Sequence, residues 1–136
     1  MAIARKFGNV VHFWNVPDIQ AAAKVLPVKQ VSTSTFALDI DAWFGEACDP
    51  TIKNVVHHMK YIRDADLDKP IILSAEGHVF DGLHRLARCL LDGVTEIAAK
   101  QFEENPQPFK VEPFDEFKKQ NPLIAASLEK METGKL

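Results

Sequence analysis

The stretch from Pro70 to Phe102 constrains this chain most, because its punctuation leaves few alternatives. Pro70, Ile71, Ile72, Leu73 and Ser74 form a short apolar run, read as a buried strand. Glu76-Gly77 is a turn and His78-Val79-Phe80 a second strand, so residues 70–80 read as a β-hairpin. Gly82 breaks the pattern, Leu83 to Leu91 recurs at helical spacing, and Gly93 stands where a helix stops. Glu96 to Phe102 alternates as a further strand. Hairpin, helix and strand in succession predict an α/β (α+β) domain, a small mixed sheet with flanking helices.

The rest of the chain is read around that unit. Asn9 to Trp14 is apolar and β-branched, a short strand, and Val16-Pro17-Asp18 opens a short helix through Ala23. Val25 to Val31 reads as a strand interrupted by Pro27, Ser32 to Thr35 as a polar loop, and residues 36–48 as ambiguous. Asp49-Pro50 predicts a helix start, and Ile52, Val55, Val56, Met59 and Ile62 predict a buried stripe on a helix ending near Asp64. At Glu103 the composition shifts. Pro106, Pro108 and Pro113 mark an extended linker, followed by short helices over Asp115 to Gln120 and Leu123 to Met131. The expected organisation is a domain over residues 1–102, with an extension over 103–136 that packs on the domain or on a partner.

Composition removes several classes. A chain of 136 residues suits one domain with a real core. A net charge of −3 argues against a protein that coats nucleic acid, which needs a basic surface. Cys48 and Cys89 lack CxxC spacing, so reduced thiols in a cytoplasmic protein are expected rather than a zinc site or a disulfide framework. The N-terminal residues show no signal-peptide pattern, and no apolar run reaches the length of a membrane span.

The helix after Gly82 carries the chemistry. With about 100° between successive residues, Leu83, Leu86, Ala87 and Leu90 share one side. His84, Arg85, Arg88 and Asp92 share the other. A helix N-terminus already has unpaired N–H groups and a partial positive charge, so cations there are unfavourable unless an anion offsets them. Gly82 can take φ > 0 and help form an anion nest, and phosphate suits such a turn. Asp81 could cap the helix, orient His84 or Arg85, or hold a metal. The competing reading makes Asp81 a plain N-cap and Arg85 and Arg88 solvated surface residues.

The run Gly77-His78-Val79-Phe80-Asp81-Gly82-Leu83-His84-Arg85-Leu86-Ala87, with the strand before it and Gly93 and the strand after it, resembles the ParB/sulfiredoxin superfamily. The likeness spans roughly residues 25–102 and is centred on the D-G-x-H-R element, Asp81 to Arg85. It is greatest to small stand-alone bacterial ParB-like proteins. It implies a nucleotide-phosphate site in which Gly82, Leu83, His84 and Arg85 form the phosphate-binding turn and Arg88 is a further contact. It also implies a nucleotide ligand (ATP, ADP or CTP), with Mg²⁺ as a companion for which Asp81 is the candidate ligand. Sulfiredoxins carry their catalytic cysteine just before the His-Arg pair. Leu83 stands there in this chain, so sulfinic-acid reduction is not expected. The 34 residues after Phe102 are too few for the helix-turn-helix domain of DNA-partitioning ParB proteins, so DNA binding by this chain alone is not expected.

Three functions follow as alternatives. The first is a nucleotide-dependent binding module with a protein partner docked through the C-terminal segment. The second is a small phosphotransferase, for which Asp81, Asp41 and Glu46 are the candidate catalytic carboxylates and Asp39 lies beside them. The third is an accessory protein of DNA partition or processing. Trp43 and Phe44 are read as core residues before base-stacking ones, and His57-His58 as surface or boundary residues, since neighbours at i, i+1 do not share a helix face.

Overall fold

The structure, a computed structural model, describes residues 2–40, 44, 50–134 and 136. Among these residues the fold is mixed α+β, with five α-helices and two small sheets, one of three strands and one of four. The candidate residues Asp41 and Glu46, together with Trp43, Cys48 and Asp49, lie outside the described residues.

The first sheet starts with a hairpin, β1 (Ala2–Phe7) and β2 (Val10–Asn15), joined through Gly8 at φ +62° in a two-residue turn. Helix α1 (Val16–Ala23) follows directly, with Pro17 in its first turn, and buries Ile19 and Ala23. The second sheet has the order β3-β6-β4-β5, from β3 (Lys29–Ser32), β6 (Glu96–Gln101), β4 (Ile71–Leu73) and β5 (Val79–Asp81). Among the described residues, only β4 and β6 run parallel. β5 and the helix α3 (Leu83–Asp92) supply the crossover that a parallel pair needs.

Helix α2 (Ile52–Arg63) is capped by Thr51, whose hydroxyl accepts from the Asn54 N–H at 3.1 Å. Its orientation differs from the one the apolar period predicts. Ile52 is 88% exposed and Met59 58%, and the residue turned fully inward is His58. Periodicity marks a stripe but not which side is covered, and here the helix rests on α3 through the polar edge of that stripe.

The segment read as a linker forms part of the first sheet. Lys110–Pro113 is a strand, β7, antiparallel to β2, with Pro113 at its end on the sheet edge. The Trp14 indole N–H donates to the Pro106 carbonyl at 2.7 Å. Asn105 bridges to the β4–β5 turn, accepting from the Ala75 N–H and donating to the Glu76 carboxylate, each at 2.8 Å. Helix α4 (Phe114–Gln120) buries Phe114 and Phe117, and α5 (Pro122–Gly134) lies along β1 and buries Ala125, Leu128 and Met131. Phe114, Phe117, Ala125, Leu128 and Met131 of the C-terminal segment belong to the chain's own core, while Phe109, Val111 and Leu123 are exposed. Among the described residues, no helix is long and apolar enough to cross a membrane.

Candidate functional site

The predicted turn is present, with the helix starting at Leu83 as expected and the strand before it ending one residue later, at Asp81 rather than Phe80. β5 ends at Asp81, Gly82 is the N-cap of α3 at φ +129°, and Gly93 closes the helix in the left-handed conformation at φ +69°. Gly82 contributes no side-chain cap, so the first-turn amides of α3 keep their intrinsic lack of an intrahelical acceptor. The glycine has a packing reason of its own. A Cβ at Gly82 would overlap Ile71, lying 2.7 Å from its Cβ, so the close approach that requires glycine here is to strand β4.

Two concavities meet at this turn. A cleft of about 560 Å³ between β1, the start of α3 and the α4–α5 pair is bordered by Gly82, Leu83 and His84. The buried Arg5 also borders it. Burial holds the Arg5 guanidinium down at about 10, still cationic at neutral pH, and it donates to the carbonyls of Ala4 (2.7 Å) and Leu136 (3.1 Å). The second concavity, about 680 Å³, is a groove between α1, α2 and the loop before β4, onto which His84 and Arg85 both open. Lys24, Lys69 and Lys100 border it, with Tyr61 on its α2 side and Asp64 and Asp66 at its rim. Asp64 is paired with Arg63 at 3.0 Å, and Asp81 with Arg85, so two of the three bordering carboxylates already have cationic partners.

Arg85 is held rather than solvated. Its side chain is 14% exposed, Nη1 donates to the carbonyls of Lys69 (3.0 Å) and Pro70 (2.6 Å), and Nη2 lies 3.1 Å from Asp81 Oδ2. Both Nη1 hydrogens are engaged and Nη2 is ion-paired with Asp81, while among the described residues Nε–H makes no hydrogen bond. Asp81 also accepts from Gln20 Nε2 at 3.1 Å. Of the three roles open to it in the sequence, it fills that of orienting Arg85, and the helix cap is Gly82.

Arg88 is not brought to the turn. Its Nε pairs with Asp92 at 2.6 Å, and Nη1 donates to the carbonyls of Arg63 and, at 3.5 Å, Ile62. It closes the C-terminal end of α2, where a cation complements the helix dipole. Asp39 is exposed and borders a different depression, beside Cys89 and Leu90. Among the described residues, no group of three or more His, Cys, Asp or Glu could hold a metal ion, so a metal set around Asp81 is not assembled from them.

His58 was read as a surface or boundary residue, and the structure corrects this. It is 4% exposed, and its Nδ1 lies 2.7 Å from His84 Nε2. Phe44 stacks on both rings, 4.4 Å from His58 and 4.8 Å from His84, and Tyr61 lies 5.3 Å from His84. The sequence held no local signal for this pairing, because the partners are 26 residues apart and the helical period centred the inward stripe away from its edge, where His58 lies.

Compared with known proteins, the chain matches no family model, no curated protein and no solved structure.

Proposed function

We propose that this chain is a cytoplasmic nucleotide-binding domain of the ParB/sulfiredoxin kind, which holds a nucleotide phosphate at the turn from Gly82 to Arg85 and acts as a nucleotide-dependent binding module. One observation carries the reading. An α3 N-terminus without a side-chain cap borders the cleft through Gly82 and Leu83, and the next residues, His84 and Arg85, border the adjoining groove with three lysines, Lys24, Lys69 and Lys100. Amide donors and the helix dipole on the cleft side and fixed cations on the groove side each favour an anion. Arg85 suits a planar two-point contact because Asp81 and the two backbone carbonyls hold its guanidinium in place before the ligand arrives. Tyr61, on the same groove, offers a face for a base.

The test is a titration of ATP, ADP and CTP, with and without Mg²⁺, against the wild type and Arg85→Ala. The variant should lose about 1.5–3 kcal/mol of binding, the range for hydrogen bonds to charged groups. Arg85→Lys keeps the charge but not the fork and should bind at an intermediate level. Equal affinity in wild type and Arg85→Ala would place the ligand elsewhere. Turnover of the bound nucleotide that is lost in Asp41→Asn or Glu46→Gln, with binding retained, would make the protein a phosphotransferase or hydrolase rather than a module.

A further inference from the structure

One carboxylate oxygen on the groove joins two side chains from different helices. Asp81 Oδ2 lies 3.1 Å from Arg85 Nη2, and Gln20 Nε2 on α1 donates to it at 3.1 Å. Gln20, Asp81 and Arg85 all border the groove of about 680 Å³, with Tyr61 on its α2 side. The contact settles which way round the Gln20 amide lies. A carboxylate only accepts, so the NH₂ end faces Asp81 and Oε1 is the branch turned away from it. Among the described residues, Oε1 accepts no hydrogen bond.

The groove thus offers a ligand two unlike groups fixed by the same oxygen. The Arg85 guanidinium calls for an anion. Gln20 Oε1 calls for an O–H or N–H donor and repels an anion. Nη2 and Nε2 each lie 3.1 Å from Oδ2, so they are at most twice that distance apart. A ligand that meets both residues must carry its donor close to its phosphate. In a nucleotide the ribose hydroxyls stand one sugar ring away from the 5′-phosphate. The amino group of adenine or cytosine stands beyond the sugar and the base as well. The short spacing selects the hydroxyls.

We propose that Gln20 is a specificity-determining residue whose Oε1 accepts a hydrogen bond from a ribose hydroxyl, so that the groove takes ribonucleotides in preference to dideoxynucleotides. This rests on the phosphate reading above and adds the sugar to it. Asp81 is the positioning residue, because it turns the amide and aims the guanidinium at once. The magnitude follows from exposure. Gln20 is exposed, so water replaces a missing hydroxyl, and the loss is that of an ordinary hydrogen bond rather than of a buried group left unpaired. A dideoxynucleotide should therefore bind about 2- to 13-fold more weakly than its ribonucleotide.

The test is calorimetry of the whole chain with ATP, 2′-deoxy-ATP, 3′-deoxy-ATP, 2′,3′-dideoxy-ATP and inosine triphosphate, which keeps the ribose and lacks the base amine. In the wild type the dideoxy compound should bind more weakly than ATP by the factor above. One of the two monodeoxy compounds should account for the loss and so name the hydroxyl. Inosine triphosphate should bind like ATP. In Gln20→Ala the ratio between ATP and dideoxy-ATP should fall to about one, since only the wild type has the acceptor. Gln20→Met keeps the length of the side chain without its oxygen and gives the same readout if Gln20→Ala does not fold. Equal affinity of ATP and dideoxy-ATP in the wild type would overturn the proposal, and so would a ratio that persists in the variants. A loss with inosine triphosphate that the variants abolish would assign Oε1 to the base amine and overturn it too. Each of these results leaves the phosphate site standing. Failure of the wild type to bind any of the five triphosphates would overturn the phosphate reading and the sugar contact with it.

Discussion

The backbone of Gly82 lies against the side chain of Ile71, closer than any residue with a Cβ could come. This contact lets β5 turn into α3 directly beside β4, so that the helix N-terminus opens at the sheet edge. Gly82→Ala meets two penalties, φ of +129° and overlap with Ile71. Strain and overpacking of this kind each cost about 1–3 kcal/mol. Urea denaturation should therefore show a loss of about 2–6 kcal/mol. A loss below ~0.5 kcal/mol would mean that the turn is not built as described.

Arg88 is a structural cation on the same helix face as His84 and Arg85. Its bonds to the Ile62 and Arg63 carbonyls close the end of α2. Arg88→Ala should cost about 1–2 kcal/mol of stability, by the worth of charge-assisted bonds at a helix C-terminus. Its ATP affinity at 25 °C should stay within about twofold of wild type, well under the tenfold that 1.4 kcal/mol represents. Parallel denaturation and calorimetry check the two halves of this expectation.

Asn105 fastens the extension to the β4–β5 turn through Ala75 and Glu76. Burial pushes the Glu76 carboxyl up, but hydrogen bonds from Asn105, its own backbone and Ser74 outweigh this and hold it below its ordinary 4.5. Its contribution is thus complete above that ordinary value and fades as pH falls through the lowered one. Asn105→Ala should destabilise by roughly 1–2 kcal/mol at neutral pH. The gap to wild type should narrow in acid by only a few tenths of a kcal/mol, because Glu76 is largely exposed and water screens it. Melts at pH 7 and pH 3 measure the narrowing, and a gap that widened in acid would contradict the assignment.

Much of the second sheet was legible because its punctuation is local. Gly82 and Gly93 bracket α3 at Leu83–Asp92, and the apolar runs on either side of Glu76-Gly77 are β4 and β5. The first sheet was harder to read. β1 contains alanines and Arg5, and a buried arginine among carbonyls leaves no trace in a hydropathy pattern. β7 lies among prolines that read as a linker, and a sheet edge tolerates them. At the site, the D-G-x-H-R element announced His84 and Arg85 through their place at a helix start. It could not announce their partners. Asp81 and the Lys69 and Pro70 carbonyls hold Arg85, and His58 holds His84, through contacts that only tertiary packing creates.

The most direct test is a backbone amide titration of the ¹⁵N-labelled chain with ATP. The amides of Leu83, His84 and Arg85 should shift together and saturably, and inorganic phosphate should move the same set in the same direction at higher concentration. Saturable shifts confined to other parts of the chain, with these three amides unmoved, would contradict the account.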